Sequence, residues 1–379
     1  MSMESSYTFV ECKKRSGSML TTNISQIVSS IIDLVPFKRK DQRIRIFKYI
    51  LGIFLPKHIN ESQIASEIMS SQSTMSRALS RSPLNEISNA RITFLKDFFN
   101  GIGQKPKYLI LDETVIKRYG TKSIEFVGKH YSSIEQRIVN GIEFLTSVLW
   151  INSRLYFPIF TTMDNSFETS TEQFDRMIES VPFESLIVLT DGGITCSEII
   201  SKALSKGYTV IGRIRTNIKV VVDDTEILLS DLNKNTKSVS SVIAWIPAYS
   251  RKVKLVFDNR LDNRVILSTD LSMDEYVILG HYSKREHIED YFNYVKNELG
   301  LGAPVYLANS MLMHAEAVQI CFTAWMVSQF WLNFKDRIGL REFVEEMRIS
   351  YYLALFKLGL IPSDMDWHVY EFLKPKCIV

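Results

Sequence analysis

"ESLIVLTDGGITCSEIISKALSKGYTVIGRIRTN", residues 184–217, changes its hydrophobic period twice. A short apolar run gives out at Asp191. "ITCSEIISKALSKG" then repeats apolar residues at helical spacing up to Gly207, and "YTVIGRIRTN" returns to strand character. Reading outward, "KYLILDETVIKRYG" from Lys107 is a second apolar strand, ending at Asp112, while "IVNGIEFLTSVLWI" and "RLYFPIFTTM" continue as strands and "STEQFDRMIESV" is an amphipathic helix. Two or three antiparallel strands followed by helix, strand, helix and strand predict a mixed α/β sheet. Residues 217–275 break that rhythm as a β-rich insertion, and beyond Gly302 the chain reads as mostly helical.

At 379 residues and 46% hydrophobic, the chain can bury a large core and divide into two or three domains. The polar start "MSMESSYTFVECKKRSGS" has no secretory character, and "AVQICFTAWMVSQFWLNF" (317–334) is too short and polar to span a bilayer. That stretch reads as a buried helix, and no membrane partner is expected. Four cysteines (Cys12, Cys196, Cys321, Cys377) without paired spacing suit a reducing cytoplasm and argue against a zinc site or disulfide framework. Net charge is +3, but residues 1–110 hold 16 Lys and Arg against 8 Asp and Glu, and the rest hold 29 against 34. The basic end suits a polyanion and the acidic remainder a cation.

The N-terminal third reads helical. In "NESQIASEIMSSQSTMSRALSR" (60–81), Ile64, Ala65 and Ile68 line one helix, and Met75, Ala78 and Leu79 line a second capped by Ser73 or Thr74. This is either a plain helical hairpin or a helix-turn-helix whose second helix presents Thr74 and Arg77 to a groove, with Met69 where the turn glycine is customary.

"HYSKREHIEDYFNYVKNELGLG" (281–302) is the densest in charge at helical spacing. As one helix, it puts Tyr282, Arg285, Glu289 and Lys296 at roughly 0°, 300°, 340° and 320°, a single stripe bordering the apolar face, with His287 roughly 160° from Glu289. A solvated face is the plain reading. Two strand-end aspartates plus Glu289, however, form a carboxylate triple suited to two hard divalent cations, which activate an attacking oxygen and stabilise a leaving one in phosphoryl transfer. Glu113 beside Asp112 leaves the choice there open by one residue. Arg213 and Arg215 alternate with Ile on one strand, either as a phosphate-facing surface or as a surface ion pair.

The Tyr-(2)-Arg-(3)-Glu-(6)-Lys spacing of Tyr282, Arg285, Glu289 and Lys296 resembles the signature of DDE transposases of the IS-four type. The resemblance spans about residues 107–305 and implies a ribonuclease-H-like core whose β-rich insertion precedes the signature helix. It makes Asp112, Asp191 and Glu289 the catalytic ligands of two Mg²⁺ ions, with Mn²⁺ as a substitute, and places Tyr282, Arg285 and Lys296 on DNA near the cut. Trp245 is either the aromatic platform that some relatives use for a flipped base or a buried strand residue. "GGIT" after Asp191 departs from the charged residue many relatives carry there.

These readings give a helical DNA-binding region at 1–106 with the candidate helix-turn-helix at 60–81, a catalytic core at 107–304 interrupted at 217–275, and a helical region at 305–379. The implied protein is a cytoplasmic, nucleoid-associated transposase of a prokaryotic mobile element. It would cut terminal inverted repeats and join their 3′-hydroxyls to target DNA as a homodimer. A domesticated DNA-binding relative and a metal-dependent nuclease without strand transfer are the rivals.

Overall fold

Strand β1 (Tyr108–Lys117) is the axis of the sheet. It pairs antiparallel along its length with β3 (Arg137–Asn152), and on its other side runs parallel to β5 (Ile187–Thr190), which is parallel to β6 (Thr209–Arg213). The outer edge of β3 is shared: β2 (Gly128–Ser132) pairs with its start and β4 (Leu155–Met163) with the remainder, both antiparallel. The run β4–β3–β1–β5–β6, antiparallel on one side of β1 and parallel on the other, is a ribonuclease-H-like mixed sheet. Helices α6 (Ser170–Ser180) and α7 (Ser197–Ser205) supply the connections that parallel strands require and pack on each other. The computed structural model describes residues 17–357 except 57–59, 119–124, 133–134, 165–166, 235–238, 261–263, 304–306 and 332–338. Cys12, Cys377 and the helical reading beyond 357 lie outside the described residues.

The insertion holds β7 (Lys219–Val222), β8 (Thr225–Leu228), helix α8 (Leu229–Lys234), β9 (Val239–Ile246), β10 (Arg251–Asp258) and β11 (Arg264–Ser268). It does not form a second sheet. Strand β11 pairs antiparallel with β6, and the order continues through β10, β9, β7 and β8. Strand β2 and helix α8 were not expected: each is short, and neither carries a clean period.

Helices α1 (Gly17–Asp33), α2 (Lys40–Gly52), α3 (Glu61–Glu67), α4 (Gln72–Ser80) and α5 (Leu84–Ile102) precede the sheet. Helices α9 (Glu275–Tyr282), α10 (Glu286–Asn297), α11 (Ala308–Trp331) and α12 (Leu340–Lys357) follow it. Helix α11 is buried from Met313 to Gln329 and packs on α1, α2, α4, α5 and β4, joining the helices to the sheet. It is a core helix, and among the described residues no helix is long and apolar enough to cross a membrane.

Some expectations need correction. The first strand does not end at Asp112: pairing with β3 carries β1 on to Lys117, so Asp112 sits mid-strand. Strand β6 ends at Arg213, which leaves Arg215 beyond it. Ser71, not Ser73 or Thr74, caps α4, accepting from the Thr74 amide. Asn60 caps α3 in the same way, since short polar side chains satisfy the free amides of a first turn. The 281–302 stretch is also not one α-helix: α9 ends at Tyr282 and a 3₁₀ turn, Ser283–Arg285, precedes α10. The tighter turn advances each residue by about 120° rather than 100°, so the uniform arithmetic does not hold between Tyr282 and Glu286. From Glu286 to Asn297 the α-helical period applies, with Gly300 at φ 64° beyond it.

Candidate active site

Asp112 lies on β1, and Asp191 is the first residue beyond the neighbouring parallel strand β5. Leu111 is in register with Thr190, so the two aspartates follow side by side at the same level of the sheet. Alternation puts Asp112 on the face shared with Tyr108 and Glu113 on the other. Tyr108 meets His281 of α9, its hydroxyl 2.6 Å from Nδ1, so the Asp112 face is the one the signature segment covers. The signature segment therefore lies against Asp112 rather than Glu113. Arg285 Nη1 donates to Asp112 Oδ2 (2.7 Å) while its Nη2 donates to Glu289 Oε1 (2.6 Å). One guanidinium thus spans two of the three carboxylates.

The electrostatics follow from crowding. Burial pushes the Asp112 carboxyl up to about 6; Arg285 and the Glu113 amide oppose this, and the charges of Asp191 and Glu289 add to it. Burial works against the Arg285 charge, yet Asp112, Tyr282, Asp191 and Glu289 hold its pKa above the ordinary arginine value. Burial pushes the Tyr282 hydroxyl up to about 12, so it stays a neutral donor. Burial lowers the Lys296 ammonium, with Asp112 opposing; the nitrogen also lies 5.8 Å from the centroid of the Phe292 ring, a cation–π distance. Three acids thus face Arg285 and Lys296, with Asp112 mostly buried and Glu289 open to solvent. Carboxylate oxygens are the donors that hard divalent cations take, though the ligand atoms of these three acids do not all lie within 4.8 Å of one another; Gly192 and Gly193 add no side chains beside Asp191.

The turn after Asp191 is fixed by residues that sequence reading passed over. The amides of Ile194 and Thr195 donate to the Asp191 carbonyl (3.0 and 2.9 Å), as does the Thr195 hydroxyl (2.9 Å). Thr195 Oγ1 also lies 2.8 Å from Thr190 Oγ1. Gly212 of β6 backs this pair: a Cβ there would sit 2.2 Å from Thr190 Oγ1 and 2.5 Å from Thr195 Oγ1. The only sequence signal was a glycine inside a strand, which marks a close approach.

A cleft of about 650 Å³ opens beside Asp191, lined by Gly192, Gly193, Arg213, Arg215, Asn217 and Ser230 among others. Arg213 and Arg215 are exposed on either side of buried Ile214, and Arg215 Nε donates to the Gly192 carbonyl (3.2 Å). Trp245 is 40% exposed on β9, opposite Lys252. The 3₁₀ turn after its strand, Pro247–Tyr249, reaches the site, where the Tyr249 hydroxyl donates to the Thr195 carbonyl (3.1 Å). Thr74 and Arg77 stand apart on α4, with Arg77 Nε donating back to the Ser73 carbonyl (3.0 Å). His287 rests between Trp150 and Tyr156, with ring centroids 5.9 and 5.8 Å away, rather than beside Glu289.

No family model matches the chain, and no curated protein matches it. Among solved structures it is similar to a Mos1 transposase paired-end complex with left transposon end, at 13% identity over 55% of this chain and 62% of that one. The TM-score of that match is 0.18.

Proposed function

We propose that this chain is a DDE transposase of the IS-four type, with Asp112, Asp191 and Glu289 as its catalytic carboxylates. The supporting observation is Arg285 reaching from the signature segment to both Asp112 and Glu289, beside Asp191 just past the end of the adjoining parallel strand. A family signature in sequence thus lies against an acid in the middle of β1 and another just past the end of β5, on a ribonuclease-H-like sheet. A protein that only binds DNA has no need of two carboxylates held by one arginine with a third acid beside them.

In this reading Asp112, Asp191 and Glu289 hold Mg²⁺ ions, or Mn²⁺ in their place. When bound, such ions activate the attacking oxygen and stabilise the leaving one in an in-line phosphoryl displacement. The protein groups do the positioning. Arg285 would offer its guanidinium to a scissile-strand phosphate, a bidentate contact that suits guanidinium geometry. Lys296 supplies a second cation at the same edge, and the Tyr282 hydroxyl donates to a phosphate oxygen. Arg213 and Arg215 carry the backbone along the cleft beside Asp191, and Trp245 offers its exposed ring to an unstacked base. Residues 1–106 form the DNA-binding region, with Thr74 and Arg77 of α4 facing the duplex. The acting unit is a homodimer that holds two transposon ends.

The test is purified protein with Mg²⁺ and a labelled duplex carrying the gene's own flanking ends, with binding, cutting and joining scored separately. Wild type should cut and join, and Asp191→Ala should bind without chemistry. Equal binding with no chemistry in either points to a domesticated DNA-binding protein. Cutting without joining points to a nuclease.

A further inference from the structure

A second cluster of metal-binding side chains lies on the sheet face opposite to Asp112, away from the signature helix. His130 of β2, Glu143 of β3 and Asp164 just after β4 each offer one ligand atom, and these atoms all lie within 4.8 Å of one another. The topology explains why they meet. Strands β2 and β4 share one edge of β3, and His130 pairs with Val139, while the Asp164 amide donates to the Glu143 carbonyl (2.9 Å). Residues 139, 141 and 143 of β3 point to one face, so the imidazole and both carboxylates emerge together at the seam between β2 and β4.

Between His130 and Glu143 the surface is bare, because the intervening cross-strand pair is Gly128 with Gly141. A Cβ at Gly128 would sit 2.8 Å from His130 Nε2. The glycine therefore makes the room in which the imidazole lies along the sheet toward Glu143. His130 Nδ1 is then 3.6 Å from Glu143 Oε2, with the two side chains only 11% and 14% exposed. That separation is too long for a hydrogen bond. It is close to the spacing of about 3.4 Å between two ligand atoms on one tetrahedral ion with bonds near 2.1 Å.

We propose that His130, Glu143 and Asp164 form a structural site for one divalent transition-metal ion, Zn²⁺ or Mn²⁺, that staples β2 and β4 to β3. One imidazole with two carboxylates is a donor set for borderline cations rather than for Mg²⁺, which favours oxygen ligands alone. The ion joins two strands that do not pair with each other, so its effect is on stability of this edge of the sheet. It is separate from the cations proposed for Asp112, Asp191 and Glu289.

The experiment uses the full chain carrying Asp112→Asn, Asp191→Asn and Glu289→Gln, which removes the other carboxylate site. Zn²⁺ alone and Mn²⁺ alone are titrated by calorimetry, and thermal unfolding is followed with and without each ion. One equivalent of at least one of the two ions should bind, and unfolding should shift upward with it, as binding to the native state requires. Adding His130→Gln should weaken that binding by at least about a hundredfold and abolish the thermal shift, as loss of a direct ligand exceeds the effects known for outer-shell partners. Glu143→Gln should do the same, and serves if circular dichroism shows His130→Gln unfolded. Absence of stoichiometric binding of either ion to the background protein would overturn the proposal. So would unchanged affinity in whichever of these variants is folded.

Discussion

Replacing Glu316 with glutamine is expected to destabilise the fold by about 3–5 kcal/mol, the usual cost of leaving a buried charge without its partner. Arg91 on α5 is fully buried and Glu316 on α11 is 3% exposed. Arg91 Nε donates to Glu316 Oε1 (2.6 Å), and Nη2 to Glu316 Oε2 (3.0 Å), Gln319 Oε1 (2.6 Å) and the Ile159 carbonyl (2.9 Å). Nη1 donates to the carbonyl of Pro158, beside a register shift in the β3–β4 ladder. The network thus locks an N-terminal helix, the buried C-terminal helix and the irregular part of β4 into one unit. Glutamine keeps the shape and an acceptor but removes the compensating charge. Domains commonly hold only about 5–15 kcal/mol in total, so the loss should be large in guanidinium unfolding followed by tryptophan fluorescence. Arg91→Met should cost a similar amount. The double variant should cost less than the sum, because the two groups share one interaction. A loss below about 1 kcal/mol for Glu316→Gln, within the range of exposed ion pairs, would refute the reasoning.

Three further outcomes follow from other parts of the molecule. His314 is buried, with its Nδ1 facing the Tyr49 hydroxyl (2.8 Å) and its Nε2 facing the Gly300 carbonyl (2.7 Å), and burial pushes its pKa down to about 4. The unfolded chain, with a histidine pKa near 6.5, binds this proton first, so the contribution is intact above about pH 6.5 and falls by about 3 kcal/mol as pH drops toward 4; denaturant unfolding at pH 7, 6 and 5 checks the slope. Gly212→Ala forces a methyl group onto Thr190 and Thr195 and should cost about 1–3 kcal/mol, with loss of DNA cutting because the Asp191 turn shifts; thermal unfolding and cleavage are read together. Met69→Gly should stabilise the protein by about 1 kcal/mol, because Met69 sits at φ 55° in the left-handed position after α3 and is 61% exposed; a rise in melting temperature checks it.

Legibility followed the strength of the local pattern. The run at 184–217 showed its strand, helix and strand because each has a clean period and Gly207, at φ 75°, closes the helix. The buried strands before it were equally plain. Pairing was not legible: nothing in "RVILSTD" says that β11 joins β6 and makes the insertion part of the core sheet, since partner choice is a long-range matter. In the candidate site, the spacing from Arg285 to Glu289 survives inside the structure. The 3₁₀ turn before Glu286 was hidden, because its residues have no propensity that separates it from α-helix. Met69 shows the reverse case. The turn expected to need glycine forms without one, as the amides of Ser70 and Met69 bond back to the carbonyls of Ala65 and Ser66 (2.8 and 2.9 Å), the helix-ending pattern that tolerates an occasional non-glycine. The His130 cluster left no trace in sequence, because its three ligands come from three strands joined only by register.

The central claim is that Asp112, and not its neighbour Glu113, acts with Asp191 and Glu289 on the DNA strand. The most direct measurement is the Mg²⁺-dependent cutting rate of the labelled flanking duplex by wild type, Asp112→Asn, Asp191→Asn, Glu289→Gln and Glu113→Gln, with DNA binding measured in parallel. The expected result is loss of at least about a thousandfold, some 4 kcal/mol of transition-state stabilisation, in the first three variants. Binding should be retained in all four, and cutting by Glu113→Gln should stay within about tenfold of wild type, at most some 1.4 kcal/mol. Cutting that survives in Asp112→Asn but disappears in Glu113→Gln would contradict the account, as would undiminished cutting by any variant of the triple.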